Sequence, residues 1–412
     1  MIADPPAESR ASYAGWKVVA GSAAGLAFGP STIAVLSLGL FMRSFEAEFG
    51  WSRTQVSIAT TIVAFMIVVV SPLQGWLIDR YGARPVILCS IPAFAIGVAG
   101  ISQLPAVLPI YYLAWVLIPI LGVGIFPLSY LRATSSWFQR RLGLALGLAN
   151  SGVAIGSILI PVIVTYLIQN YGWRQAYMGL SAIVLLFTLP IAWRLVYERD
   201  HEQAGTGSEG GSGATFGEIV RTRTYRLLCG AFLLIGVTAT ALIVHQIPLL
   251  IDAGMSPTKA ASVQVVFGIF GLIGRLVTGV LLDHLRATRV MVGFILGGAM
   301  ACGLYAAGTG AETAFVCSAL TGLLFGAEFD VLAYVIKKRF GMRSFGKSYG
   351  FVFAMFQFGS GCGAALLPMM RDRFGSYSSG LALFTVLLLS AAIIFAFIRD
   401  VPVVRSSSEV RA

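Results

Sequence analysis

Two carboxylates and one guanidinium stand where a lipid environment would leave no room for them. Glu328 and Asp330 interrupt the apolar run LTGLLFGAEFDVLAYVI (320–336), and Arg275 interrupts SVQVVFGIFGLIGRLVTGVLLD (262–283). A charge at the middle of a bilayer costs about 3 kcal/mol on insertion scales, so such residues face protein or a water-filled path and have partners. Arg275 lies eight residues before Asp283 and Glu328 nine before Lys337, which puts both at similar depth, roughly 12 Å or more from the helix end at about 1.5 Å per residue. The arginine is permanently charged and offers a planar fork matched to a carboxylate. Its functional reading is a binding group for an organic anion; the plain alternative is a lasting salt bridge to Glu328 or Asp330. Burial favours a neutral acid and a neighbouring arginine favours the carboxylate, so an anion arriving at Arg275 could switch the protonation of Glu328 or Asp330. Two positions separate these acids, about 200° around a helix. One of them is expected to line a path while the other anchors a neighbouring helix, and the sequence does not choose between them.

The elements that must hold these residues follow from composition. The chain has 412 residues, 57% hydrophobic and 11% charged, against about 25% charged in soluble domains. Apolar runs of about 20 residues, enough to cross ~30 Å of hydrocarbon, recur near 17–41, 54–78, 85–103, 108–132, 142–166, 175–196, 225–251, 258–284, 288–309, 313–336, 346–370 and 377–399. The pattern predicts an all-α membrane protein with twelve transmembrane helices. A soluble enzyme could not hide so many uninterrupted apolar segments. The net charge of +11 does not point to nucleic acid, because of where it sits. Of the 29 Lys and Arg, six (Arg43, Arg53, Arg174, Lys259, Arg371 and Arg373) fall on one side of this map and Arg275 lies within it. The remaining 22 share a side with both termini. The positive-inside rule makes that side, and both termini, cytoplasmic. Residues 1–16 lack the apolar core of a cleavable signal peptide, which with the short loops points to a cell inner (cytoplasmic) membrane. The five cysteines lie in or beside apolar runs without ligand spacing, so they read as packed free thiols, Cys362 being able to line a cavity. No metal or cofactor site is expected.

The segment ERDHEQAGTGSEGGSGATFGE (198–218) is Gly/Ser-rich and charged, as a flexible linker is. It divides the spans six and six: a tail 1–16, a bundle 17–197, a linker 198–224, a bundle 225–399 and a tail 400–412. The halves echo each other. GWLIDRYGARP (75–85) returns as GVLLDHLRATR (279–289), Gly124 to Phe138 matches Gly326 to Phe340, and Gly152, Gly156 and Pro161 return as Gly359, Gly363 and Pro368. Such parallel repeats imply a site between two bundles near the midplane.

GWLIDRYGARP resembles the loop 2–3 signature of the major facilitator superfamily, G-x-L-x-D-R-x-G-x-R. WFQRRLGLALGLANSGVAIGSILIP (137–161) is similar to the span 5 signature of monocarboxylate transporters and their bacterial relatives, and Gly15–Trp16 before span 1 fits that branch. The resemblance covers essentially 17–399. It implies alternating access by rocking of two six-helix bundles without ATP, and no P-loop or hydrolase motif is present to contradict it. In that branch a span 8 arginine holds the substrate carboxylate, and Arg275 is the matching residue. The pattern departs at Gly271, where vertebrate members usually have an aspartate, which leaves span 10 as the candidate proton site. It departs from the oxalate–formate exchangers at span 11, where Lys347 sits only at the mouth and Gln357 is uncharged. One buried cation suits a monocarboxylate better than a dicarboxylate.

Asn150 and Gln357, aligned in the repeat, are candidates to hydrogen-bond substrate or another helix, as is Tyr334. Gly29–Pro30 breaks span 1 near its middle. His245 titrates in the range of a pH sensor but equally suits a structural hydrogen bond. Arg132 is a candidate gate residue or an interfacial anchor. Asp79, Arg80 and Arg84, with Asp283 and Arg286, read as charges that pair across the bundles in one state and separate in the other. The expectation is a secondary carrier for small organic monocarboxylates by proton symport or anion exchange. Its partners are the anion, protons and the bilayer, and it works as a monomer. The rivals are an efflux carrier for hydrophobic drugs, against which Arg275 would repel cations, and a nutrient sensor.

Overall fold

Backbone N–H and C=O groups in hydrocarbon must be satisfied within the segment itself, and long apolar runs without breakers meet that demand as helices. The computed structural model describes residues 7–199, 213–308 and 310–398; residues 1–6, 200–212 of the expected linker and the expected tail 400–412 lie outside the described residues. Span 1 consists of α1 (Gly15–Ala27), a π turn (Ser31–Leu36) and α2 (Leu38–Phe49). It is followed by α3 (Arg53–Tyr81) and α4 (Ala83–Ile101) as spans 2 and 3. Span 4 is α5 (Leu108–Leu121), a 3-10 turn (Val123–Ile125) and α6 (Pro127–Trp137). Span 5 is α7 (Leu142–Tyr171), and span 6 is α8 (Trp173–Ile183), a π turn (Val184–Thr188) and α9 (Leu189–Leu195). The short α10 (Phe216–Arg221) leads into the second half: α11 (Arg223–Asp252), α12 (Pro257–His284), α13 (Ala287–Ala306), α14 (Ala311–Phe340), α15 (Phe345–Phe374) and α16 (Ser378–Ala396). Eleven of these runs are long and apolar enough to cross a membrane, and α5 with α6 supplies the twelfth crossing.

Two expectations change. Span 4 is not one helix over 108–132: Gly122 and Pro127 interrupt it, and the freed groups find side chains, with Ser90 Oγ accepting from Gly124 N–H (3.0 Å) and Gln74 Nε2 donating to the Phe126 carbonyl (3.1 Å). Span 1 breaks at Gly29–Pro30 as expected, but it continues to Phe49, well past 41. There Thr32 Oγ1 donates to the carbonyls of Ala27 and Gly29 (2.8 and 2.9 Å), adding a side-chain donor at the turn where Pro30 has no N–H.

Among the described residues, the cores of the two bundles merge toward one end. Buried residues of the first bundle that merge into the core of the second, among them Ile78, Leu131, Leu142 and Leu146, all lie toward the end that carries the interbundle linker and most of the Lys and Arg, called here the basic face. Glycines permit the contact. A Cβ on Gly75 would lie 2.2 Å from the Gly346 carbonyl oxygen, and one on Gly143 would lie 2.3 Å from that of Gly279. In the other half the same helices turn back to their own bundle: Gly156 packs on the Ala27 carbonyl and Gly363 on that of Val237. Burial follows suit. Along α7, Leu142 to Asn150 is almost wholly enclosed, whereas Ile155, Ile158, Leu159 and Val162 beyond it are exposed. The structure is therefore closed at the basic face and parted at the opposite one.

A side chain at Gly75 should wedge this closure. Overpacking costs typically ~1–3 kcal/mol, a shift of roughly 5- to 150-fold in a two-state equilibrium. In a cysteine-free background, Gly75→Val should make a cysteine placed at the buried Ser348 react with a water-soluble maleimide by at least about that lower factor faster. An unchanged rate would mean that the glycine contact does not hold the face shut.

Candidate functional site

The closed half ends at the depth of the buried charges, so these form the floor beneath the parted half. α12 and α14 approach closely because glycines face each other: a Cβ on Gly326 would lie 2.2 Å from the Gly271 carbonyl oxygen and 2.9 Å from the Arg275 backbone nitrogen. α7 closes the third side, with Gly147 set against the Arg275 carbonyl. Arg275 is 7% exposed, and Glu328 and Asp330 are wholly buried. Asn150 Nδ2, from the other bundle, donates to Asp330 Oδ1. Neither oxygen of Glu328 accepts a hydrogen bond, nor does Oδ2 of Asp330. The Arg275 charge acts on both acids without being hydrogen-bonded to either. The permanent salt bridge allowed by the sequence is thus absent from this state. Asp330 bonds α7 across the seam whereas Glu328 makes no hydrogen bond, and both stay within the arginine's field.

Other sequence candidates fall elsewhere. Tyr334 lies one turn nearer the basic face than Asp330, with Lys338 Nζ 5.7 Å from its ring centroid, and so belongs to the closure rather than to the floor. Gln357 is half-buried on α15 and does not join the Asn150–Asp330 bond. His245 bonds the Ala364 carbonyl through Nε2 (2.9 Å), within its own bundle. Cys89 and Cys362 are exposed, Cys229 is half-buried, and Cys302 and Cys317 are buried, all as free thiols. Sequence reasoning missed Tyr349. It is fully buried on α15, within electrostatic reach of Arg275, Glu328 and Asp330, and its hydroxyl has no hydrogen-bond partner. A tyrosine one turn into an apolar helix gives no signal that separates it from packing. A cavity of about 250 Å³ between α4 and α5, bordered by Gly97, Gln103 and Leu117, contains none of the charged set.

The basic face is shut by a reciprocal pair of carboxylates. Asp79, near the end of α3, accepts from Gly346 N–H at Oδ1 and from Lys347 N–H at Oδ2, both at 2.8 Å. These are the second and third residues of α15. Asp283, near the end of α12, accepts from Gly143 N–H (2.7 Å) and Leu144 N–H (3.1 Å), the second and third residues of α7. Each acid thus caps a helix of the other bundle, where free N–H groups and the positive end of the helix dipole favour an anion. The expected pairing of Arg80 and Arg84 across the bundles does not occur. Arg80 lies over the rings of Trp76 and Tyr81, and Arg84 donates to the Trp193 carbonyl (2.9 Å), while the arginine that pairs with Asp79 is Arg132 of the same bundle. Arg286 stands at the N-cap of α13. Arg132 bonds Asp79 and Glu198 (2.8 Å) and touches the Met342 carbonyl across the seam (3.5 Å).

Two further contacts here were not anticipated. Lys337, at the end of α14, donates to the Ser135 and Phe138 carbonyls at the end of α6, and Lys338 donates to that of Gln139 (2.6 Å). Cations at a helix C-terminus complement the orphan carbonyls there. Glu8 accepts from the backbone N–H groups of Gln139, Arg140 and Arg141 at 2.9–3.0 Å. In the sequence Lys337 and Lys338 are part of a KKR run and count only as topology signals.

The sequence model of the Major Facilitator Superfamily matches residues 20–315 and 246–412. The chain belongs to this superfamily. It is a multi-pass membrane transporter rather than an enzyme, related to monocarboxylate transporters. Monocarboxylate transporter 13 of Bos taurus is 27% identical over 92% of this chain and 88% of its own. The uncharacterized MFS-type transporter YhjX of Escherichia coli is 25% identical over 80% and 82%. A multidrug resistance protein B homolog of Mycobacterium tuberculosis is 30% identical, over 41% of this chain and 31% of its own. Among solved structures, the fucose:proton symporter FucP of Escherichia coli superposes with a TM-score of 0.69 at 17% identity, covering 94% of this chain and 98% of that one. FucP in the outward conformation gives 0.72 at 19%, covering 93% and 99%.

Replacing either capping acid by its amide exchanges one acceptor for a donor and removes the charge. Asp79→Asn and Asp283→Asn should each destabilise the closed basic face by about 1–2 kcal/mol. Distances between spin labels at Arg140 and Arg289, read by pulsed electron resonance, should lengthen or broaden in each variant and most in the double one. Distributions identical to that of the parent would assign closure to the lysine and glycine contacts alone.

Proposed function

We propose that the protein is a proton-coupled carrier for small organic monocarboxylate anions, working as a monomer by alternating access in a bacterial-type inner membrane. The observation that carries this reading is Arg275: a fixed cation at the floor of the parted half, beside two acids and hydrogen-bonded to neither. A substrate carboxylate would supply the planar partner that its fork matches. The likeness to monocarboxylate transporters runs along nearly the whole chain, whereas that to the multidrug homolog is confined to 41% of it. With the basic face cytoplasmic, as the positive-inside rule implies, the conformation faces outward, the state named for the second FucP structure.

The two acids divide the work in this proposal. Asp330 is tied to Asn150 of the other bundle, so its bond must break when the basic face opens; it couples the floor to the conformational change. Glu328, free of hydrogen bonds, carries the proton. Binding of the anion weakens the hold of Arg275 on the acids, and the proton moves with the anion. Asp79, Asp283, Arg132, Lys337 and Lys338 form the gate. Neutral or cationic drugs as substrates, with Arg275 structural, are the alternative.

A thermal-shift panel on purified protein separates these. A ligand at 100 times its dissociation constant stabilises by about 2.7 kcal/mol. Monocarboxylates should raise the melting temperature of the parent and leave a folded Arg275→Ala unmoved, with dicarboxylates weaker and cationic drugs inert. Response of Arg275→Ala equal to that of the parent, or stabilisation by drugs alone, would sink the anion reading. In proteoliposomes, Glu328→Gln should keep exchange of labelled substrate across the membrane but lose accumulation driven by a proton gradient. Should Asp330→Asn show that separation and Glu328→Gln not, the proton belongs to Asp330.

A further inference from the structure

Arg275 accounts for the head of an anion and says nothing about its body, but the surface around it does. α14 is the most enclosed of the second-bundle spans, yet Phe325 and Phe329 on it remain half-buried. They stand four residues apart and so share one face, and they bracket Gly326, the residue that touches the Arg275 backbone. Phe329 falls between Glu328 and Asp330. Its ring meets that of Phe353 on α15 at 5.1 Å and 63°, while Phe325 meets Phe267 on α12 at 5.7 Å. The result is a band of rings that runs from Phe267, about two turns before Arg275 on α12, through α14 to α15. The first bundle adds Phe126, at the break of span 4, which borders a small interbundle cavity together with Phe353 and Tyr349. Such edge-to-face rings present hydrogen edges and π faces to a guest, and few hydrogen-bonding groups.

We infer that the carried anion has an apolar body of ring size, an aryl or branched-alkyl monocarboxylate, held by Phe325, Phe329 and Phe353 while Arg275 holds its carboxylate. This rests on the proposed monocarboxylate reading and narrows it. A small hydroxy or keto acid would need donors or acceptors for its second oxygen, and the half-buried faces of α14 and α15 beside Arg275 offer mainly phenyl rings, with Gln357 one turn beyond Phe353 the polar exception. Exclusion of water by those rings also strengthens the contact between the carboxylate and Arg275.

Calorimetric titration of the full-length protein in detergent tests the inference, with phenylacetate and 4-methylpentanoate against acetate, lactate and pyruvate, and benzyl alcohol as a ring without a carboxylate. The two apolar acids should bind at least about tenfold tighter than the small ones, a difference of about 1.4 kcal/mol. Phe329→Ala and Phe353→Ala should shrink that gap to about threefold or less (under ~0.7 kcal/mol), and Phe329→Leu should restore most of it. Lactate or pyruvate binding as tightly as phenylacetate overturns the apolar body and leaves the monocarboxylate reading standing. Benzyl alcohol binding as well as phenylacetate overturns both, since the head would then count for nothing. Where an alanine variant does not fold, the ranking of ligands on the parent protein and on Phe329→Leu still decides.

Discussion

A guanidinium cannot be neutralised and cannot be left in hydrocarbon, and much of this structure is arranged around that constraint. Arg275 sits at mid-depth on α12, where only protein or a water-filled path can accept it. Facing glycines bring α14 and α7 against its backbone on two sides. Two acids share its field, and the seam between the bundles opens just beyond it. Had Arg275 been saturated by a salt bridge, the floor would be a rigid plug. Because the bundles part at this level, the same charge serves as a place where something else can bind.

Closure depends on a second economy of means, repeated by the internal duplication. Asp79 and Asp283 are 204 positions apart, and the helix starts that they cap, Gly143 and Gly346, are 203 apart. The two halves therefore clasp each other with equivalent groups in opposite directions. A carboxylate at a helix N-terminus joins two amide hydrogen bonds to a favourable dipole, and separating the bundles releases both at once. A few kcal/mol of such contacts suffices to set which face is shut.

Much of this was legible in the sequence. Apolar runs, charge asymmetry and the Gly/Ser linker predicted twelve crossings in two halves, and the repeat pointed to a central seam. Arg275, Glu328, Asp330 and Asn150 stood out because polar residues in apolar runs are costly, and the structure gathers all four. What stayed hidden depends on partners distant in sequence. Nothing local reveals that Asp79 takes the amides of Gly346 and Lys347 together with Arg132 rather than Arg80 or Arg84, or that Lys337 meets the carbonyls of a helix about 200 residues away. Tyr334 and Tyr349 look alike in a helical run, and which is nearer the floor depends on rotation and depth that only packing sets. Span 4 reads as continuous because its interruption relies on Gln74 and Ser90 from other helices.

The manner of clasping bears on how freely the sequence can drift. In both clasps of the basic face the groups that donate to the aspartate are main-chain amides, which every residue but proline possesses. Mutation of the receiving side chains therefore leaves the acceptor sites of Asp79 and Asp283 supplied, provided bulk does not pry the helices apart. Within the two clasps, the aspartates and the small residues at the crossing points are what is held to a chemical identity, beside the cations that bridge the seam. Two halves joined in this way can diverge almost everywhere else, in span, loop and pocket, and still recognise each other.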